Sequence, residues 1–200
     1  MGTFTVMTDE SGIKIKSDLY RYYGDLSRKI FYKNLLFDSG FRFSFYLRKC
    51  EGTRQGKKVQ QLIKFFWLFL LWRMGLKYHI HIPVATKIGY GFYICYGEFI
   101  TITGESNIGN NFCINHGAII GKTSRGKRKG SPTIGDNVWI GAHAVVVGKI
   151  NIGNNVLIAP LAHVNFDVPN NAVVAGNPGK IISFSGTESY VINKWNSPSA

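Results

Sequence analysis

The side chains best suited to move a proton near neutral pH are five histidines, His79, His81, His116, His143 and His163. His116 stands out by its neighbourhood. Two short aliphatic-glycine phrases, "INHGAII" and "TIGDNVWI", flank an eleven-residue insert, KTSRGKRKGSP, that carries five cations and no acid. Lys122, Arg125, Lys127, Arg128 and Lys129 in that insert could meet phosphates or an acidic glycan. The two glycines suit an exposed flap able to close over a ligand. A lone imidazole at one end, a tryptophan (Trp139) at the other and a basic loop between them point to general-base chemistry on an anionic substrate.

The residues that must position this group repeat with a period of six. Ile88, Ile94 and Ile100 open one set of phrases, and two extra residues precede Ile108, Ile114 and Ile120. Ile134, Ile140 and Val146, then Ile152, Ile158 and Val164, open two more. Six is neither the strand period of two nor the helical 3.6, and it marks a parallel β-helix with a corner every six residues. Asn-Asn and Asp-Asn pairs tolerate the left-handed backbone such corners need. In this register Tyr96, His116, Ala142 and Pro160 form one column along an edge. Tyr96 and His116 are then one coil apart, about 4.8 Å in height, with His116 beside the departure of the basic loop.

Residues 17–77 follow a different pattern, with apolar residues at three- and four-residue steps. Ser17 reads as a helix N-cap with Asp18 in the first turn, DSG at 38–40 as a break, FRFSFYLRKC as a short helix and EGTRQGKK as a polar link. Leu62–Trp72 is apolar except for Lys64, and eleven residues are too few to span a bilayer. A buried helix is the expected state, and a helix lying in the membrane interface is the alternative. The first twelve residues lack the pattern of a signal peptide.

Forty-five per cent hydrophobic and fourteen per cent aromatic content exclude a disordered chain. A formal net charge of +13 calls for an anionic partner. Nucleic acid is a poor fit, since no helix-turn-helix or RNA-binding signature accompanies the basic run. Three cysteines (Cys50, Cys95, Cys113) with no CxxC argue against disulfides and zinc knuckles, and fit a reducing cytoplasm. A zinc site between subunits would want a close histidine pair on one coil, whereas His116, His143 and His163 each stand alone on theirs. No metal is expected.

The repeat over roughly 80–182, with its closing VPNNAVVAGNPGKII, resembles the left-handed β-helix or hexapeptide acyltransferases. SDLYRYYG and SGFRFSFYLR resemble the helical head of serine acetyltransferase relatives found in polysaccharide clusters. The resemblance implies a homotrimer with sites between neighbouring prisms and acetyl-CoA as donor. It predicts an N-terminal helical domain (1–77), a left-handed parallel β-helix (78–182) and a C-terminal tail (183–200). It carries a donor site over to Trp139, Gly141, Ala142, Ala159, Pro160 and Lys180.

This chain departs from the serine acetyltransferase pattern. Where that family has Leu-Asp-His-Ala, it has Ile94-Cys95-Tyr96-Gly97, so Tyr96 replaces the catalytic histidine and Cys95 the aspartate. His81 falls on the supporting aspartate, and Ser131-Pro132 replaces a His-Pro. The base is therefore expected at His116, with Tyr96 and Cys95 at the acceptor. His143 is expected to face a neighbour or solvent, and His79, His81 and His163 to serve packing or interfaces. The expected function is transfer of acetyl from acetyl-CoA to a hydroxyl of a bacterial surface polysaccharide or its precursor. This would take place in the cytoplasm, with the inner membrane face and peripheral membrane contact left open. A serine O-acetyltransferase with rearranged groups and a non-catalytic prism are the alternatives.

Overall fold

The computed structural model describes residues 9–52 and 58–196. Four helices come first: α1 (Glu10–Tyr23), α2 (Arg28–Phe37), α3 (Ser39–Gly52) and α4 (Lys58–Tyr78). The cap of α1 is Asp9, whose carboxylate accepts from the Gly12 amide at 3.1 Å, and Gly24 ends the helix at φ 65°. Ser17 and Asp18 therefore lie inside α1 and do not start it. Asp38 is a hinge between two helices, closing α2 and accepting from the Phe41 amide at 2.7 Å at the start of α3. Phe31, Phe41 and Phe45 pack edge to face with centroids 5.7–5.9 Å apart, which joins α2 to α3. The link expected at 51–58 falls partly outside the described residues.

The rest of the chain winds into a left-handed parallel β-helix of three faces. The first face stacks β1 (Lys87–Ile88), β4 (Asn107–Ile108), β7 (Thr133–Ile134) and β10 (Asn151–Ile152). The second stacks β2 (Tyr93–Cys95), β5 (Cys113–Asn115), β8 (Trp139–Ile140), β11 (Leu157–Ile158) and β13 (Val173–Ala175). Antiparallel β14 (Lys180–Ser183) is added at its base. The third stacks β3 (Thr101–Ile102), β6 (Ile119–Gly121), β9 (Val145–Val147) and β12 (His163–Val164). Alternation sends one residue of each parallel strand inward: Ile88, Ile108, Ile134 and Ile152 on the first face, Ile94, Ile114, Ile140, Ile158 and Val174 on the second, and Ile102, Ile120, Val146 and Val164 on the third, all buried. Each such side chain removed from water contributes about 1.5–3 kcal/mol, which is why the sequence spells an aliphatic residue at every phrase.

The two-residue excess in the first coil sits elsewhere than the sequence suggests. Ile102, not Ile100, pairs in register with Ile120, so the extra residues bulge out the corner after Tyr96. Both isoleucines are buried, so hydropathy alone could not choose between them. The bulge is where the head docks: a Cβ on Gly97 would come within 3.0–3.1 Å of Gly40 and the Ser39 hydroxyl.

The head meets the open top of the prism through polar side chains that replace a missing coil. Lower down, each second-face corner amide bonds to a carbonyl one coil above, as Asn137 does to Asn110 and Asn155 to Asp136. At the top, the Gly91 amide donates to the Ser17 hydroxyl and the Phe92 amide to Asp18, both at 2.8 Å. The guanidinium of Arg48 donates to the carbonyls of Ile88 (2.8 Å) and Gly89 (2.6 Å). Arg48 also forms a fully buried ion pair with Asp18 at 2.9 Å. Arg21 donates to the Gly91 carbonyl and the Tyr22 hydroxyl to that of Ile94.

Two further elements differ from the sequence expectation. The apolar run Leu62–Trp72 is not a buried helix: in α4, Leu71 and Met74 face the core, while Leu62, Phe65, Phe66, Phe69 and Trp72 are each more than half exposed. No helix among the described residues is long and apolar enough to cross a membrane. The segment after β14 climbs back up the prism. Gly186 donates to the Asn171 carbonyl, Thr187 to that of Asn137, and the Trp195 amide to the Asn111 side chain.

Candidate active site

The corner between the second and third faces carries the histidine edge. Tyr96 and His116 follow the paired strands β2 and β5, and their rings stand edge to face at 5.9 Å. Asn115, buried beside His116, donates to the Ile140 carbonyl at 2.8 Å and pins this strand to the next coil. His143 then folds up against His116, with ring centroids 5.1 Å apart at 89°. Gly117 makes that possible. It sits at φ 69°, and a Cβ there would collide with the His143 imidazole. The result is a ladder, Tyr96–His116–His143, whose last member is exposed, as expected of a residue facing a neighbour or solvent, and also touches the His116 ring. The signal was the glycine after His116, one coil above a histidine.

His116 is half-buried, and its Nδ1 is fully buried with no partner among the described residues. Buried polar nitrogens are nearly always satisfied, so an orphan one at a corner is an unusual feature. Tyr96 is 79% exposed, which leaves the upper end of the ladder open.

Cys95 does not join this group. It lies on the second face, half-buried, with its sulfur 3.7 Å from that of buried Cys113. Burial pushes the Cys113 thiol well up, while the hydrogen bond from Cys113, with Arg21 nearby, pulls the Cys95 thiol down. Its neighbours belong to the junction with α1, not to the open corner.

The basic insert also stands apart from His116 within the chain. It leaves from the opposite corner of the third face, beyond Gly121, and is folded down onto the prism. Thr123 bridges Gly130, Lys122 pairs with Glu105 at 2.5 Å, and Arg128 pairs with Asp167 at 3.4 Å. Arg125, Lys127 and Lys129 are exposed and carry no ion pair among the described residues.

A second concavity lies lower on the second face. Trp139 points outward there, against Tyr190 of the returning segment at 5.0 Å. Together with Leu157, Ala159, Pro160 and Val173 they enclose about 730 Å³. Three of the six expected donor residues, Trp139, Ala159 and Pro160, thus share one cavity. Gly141 packs against the backbone of Ala159 and Pro160, where a Cβ would clash, and Ala142 accepts from the Leu161 amide one coil below. Lys180 is exposed on β14, paired with Ala175 and outside the cavity lining. Pro160 stands in the same column as Ala142 and His116, so the cavity rim and the histidine are two coils, roughly 10 Å, apart. Among the described residues no group of three or more His, Cys, Asp or Glu could hold a metal ion.

The fold and the corner it carries define a class. Residues 131–165 match the family described as bacterial transferase hexapeptide (six repeats), and this chain is a left-handed β-helix protein built on that repeat. More particularly, it is similar to serine acetyltransferases. The Arabidopsis thaliana protein named serine acetyltransferase 4 is 34% identical over 131 residues, 66% of this chain and 35% of that protein. The Neisseria gonorrhoeae serine acetyltransferase, solved in complex with serine, superposes with a TM-score of 0.70 at 29% identity, over 86% of this chain and 69% of that one. The serine acetyltransferase of Brucella abortus strain S19, solved with coenzyme A, gives 0.71 at 26% identity, over 86% and 68%. The chain spans 35% and 37% of the lengths of the two plant relatives it matches.

Proposed function

We propose that this protein is an acetyl-CoA-dependent O-acetyltransferase of the serine acetyltransferase type, with His116 as general base. The observation that carries the reading is the half-buried His116 imidazole, one nitrogen orphaned, two coils from the cavity under Trp139. The likeness to a coenzyme A complex supports the donor. Trp139, Ala159, Pro160 and Tyr190 would hold its arm, and Ala142 marks the path from there to the corner.

With Nδ1 buried, Nε2 of His116 takes the acceptor hydroxyl's proton as the hydroxyl oxygen attacks the thioester carbonyl. Amide donors at the corner hold the oxyanion. The carbon–sulfur bond then breaks, and the imidazolium returns the proton to the departing thiolate. The ester and free coenzyme A are the products.

Serine is the acceptor we place first, because the relatives are named for it and one was solved with it bound. The polysaccharide acceptor expected from sequence finds no support in those comparisons. One observation favours a second reading with a larger hydroxyl acceptor: Tyr96, where the family carries histidine, stands exposed at the top of the ladder.

We also propose a trimer with sites between protomers. The first face shows polar residues outward, Lys87, Asn107, Thr133 and Asn151, and the second is covered by the head and the returning segment. The third face turns Ile119, Val145 and Val147 outward, and no helix or returning segment among the described residues is laid over it. Across such an interface the unpaired loop cations of one protomer could reach the substrate at a neighbour's His116.

The test is transfer of labelled acetyl from acetyl-CoA to free serine and to a sugar panel, with wild type and His116→Ala. Transfer to serine reduced about 10²- to 10⁴-fold in the variant supports the reading. Transfer to sugars alone moves the acceptor to the second reading, and transfer untouched by the substitution removes His116 as base. Mixing His116→Ala protomers with protomers neutralised at Arg125, Lys127 and Lys129 should restore activity if sites are shared.

A further inference from the structure

We infer that α4 is a membrane-docking helix that lies on an anionic lipid surface. Leu62, Phe65, Phe66, Phe69, Trp72 and Leu76 recur at three- and four-residue steps, and their exposures run from 51% to 72%. Contiguous exposure of six large apolar side chains marks an interaction site. The opposite side of the helix is already used, with Leu71 and Met74 in the core and Trp67 packed against Phe45.

Charge selects the occupant. The α4 sequence, KVQQLIKFFWLFLLWRMGLKY, holds no acidic residue. Arg73 and Lys77 are exposed on the turns that carry Phe69, Trp72 and Leu76, and neither forms an ion pair among the described residues. A second copy laid against this stripe would bring cations into an apolar contact with no carboxylate of α4 to meet them. An anionic bilayer takes the aromatic side chains among its acyl chains and the cations at its headgroups. The helix is too short in apolar length to cross, so it rests on the surface. An apolar cavity of about 540 Å³, lined by Phe43, Trp72, Leu76 and Ile82, opens at the same end of the helix and could receive the end of a lipid chain.

The test is co-sedimentation of the full chain with vesicles of phosphatidylcholine alone and of phosphatidylcholine mixed with phosphatidylglycerol. The comparison is among wild type, Phe65→Ser/Phe69→Ser and Arg73→Gln/Lys77→Gln. These surface substitutions leave the core intact, which a thermal melt of each variant checks. Wild type is expected to bind the mixed vesicles, and each double variant to bind them roughly tenfold or more weakly. No binding to mixed vesicles overturns the proposal, as does binding that ignores Phe65→Ser/Phe69→Ser and depends on charge alone. A drop in the sedimentation mass of Phe65→Ser/Phe69→Ser with no wild-type vesicle binding assigns the face to a second copy and likewise overturns it.

Discussion

The head and the prism hold together by opposite means. The prism repeats one apolar contact many times, each coil burying the same kind of residue over its predecessor, so no single side chain dominates. The head attaches to the first coil through a few buried polar groups, with Arg48 at the centre, reaching two prism carbonyls and Asp18 at once. Removing a member of the first kind leaves a hole, whereas removing a member of the second strands charges and backbone groups without water. Stability in the prism is distributed, and at the joint it is concentrated.

Arg48→Met should break this contrast most sharply. It leaves Asp18 buried without its partner, and we expect about 3–5 kcal/mol of lost stability. Calorimetry should then show the head melting before the prism instead of one shared transition. Ile140→Ala, in the middle of the stack, should cost about 2–4 kcal/mol but keep a single transition, because the neighbouring coils still cover it. Asn137 sits at φ 56° and donates to Asn155 at 3.1 Å. Asn137→Ala should cost about 1–2 kcal/mol by denaturant titration, and Asn137→Gly less, since glycine keeps the backbone and loses only the side-chain hydrogen bonds to Asn155 and from Asn111. If the cavity under Trp139 holds the donor as proposed, Tyr190→Ala should leave the melting temperature nearly unchanged and raise the KM for acetyl-CoA several-fold with little change in kcat, because Tyr190 only walls it.

The same contrast explains what could be read in advance. The triangular cross-section admits an aliphatic side chain at each sixth residue, so the prism is written openly in Ile88 to Val164. Its one misplacement, the bulge after Tyr96, came from two nearby isoleucines that satisfy the interior equally well. The pairing of Tyr96 with His116 followed from the repeat. His143 did not, because its approach depends on a glycine one coil away. Ser17 and Asp18 carry the composition of a helix start but cap the prism instead, a tertiary duty that no local pattern announces. Trp195 and Tyr190 sit in a stretch with no period at all. The α4 run is apolar on every side, so composition could not say which side would be left uncovered.

The capped top of the prism also limits how far these molecules can stack. An open coil end presents a row of unpaired amides and carbonyls, a ready template for the next molecule's first or last coil. Here Ser17, Asp18, Arg21, Tyr22 and Arg48 occupy that row from within the same chain. At the other end the reversed strand β14 breaks the parallel order. A repeat that could in principle run on as a fibre is thereby blocked from pairing coil to coil, by the helical head at its top and by the reversed β14 at its base.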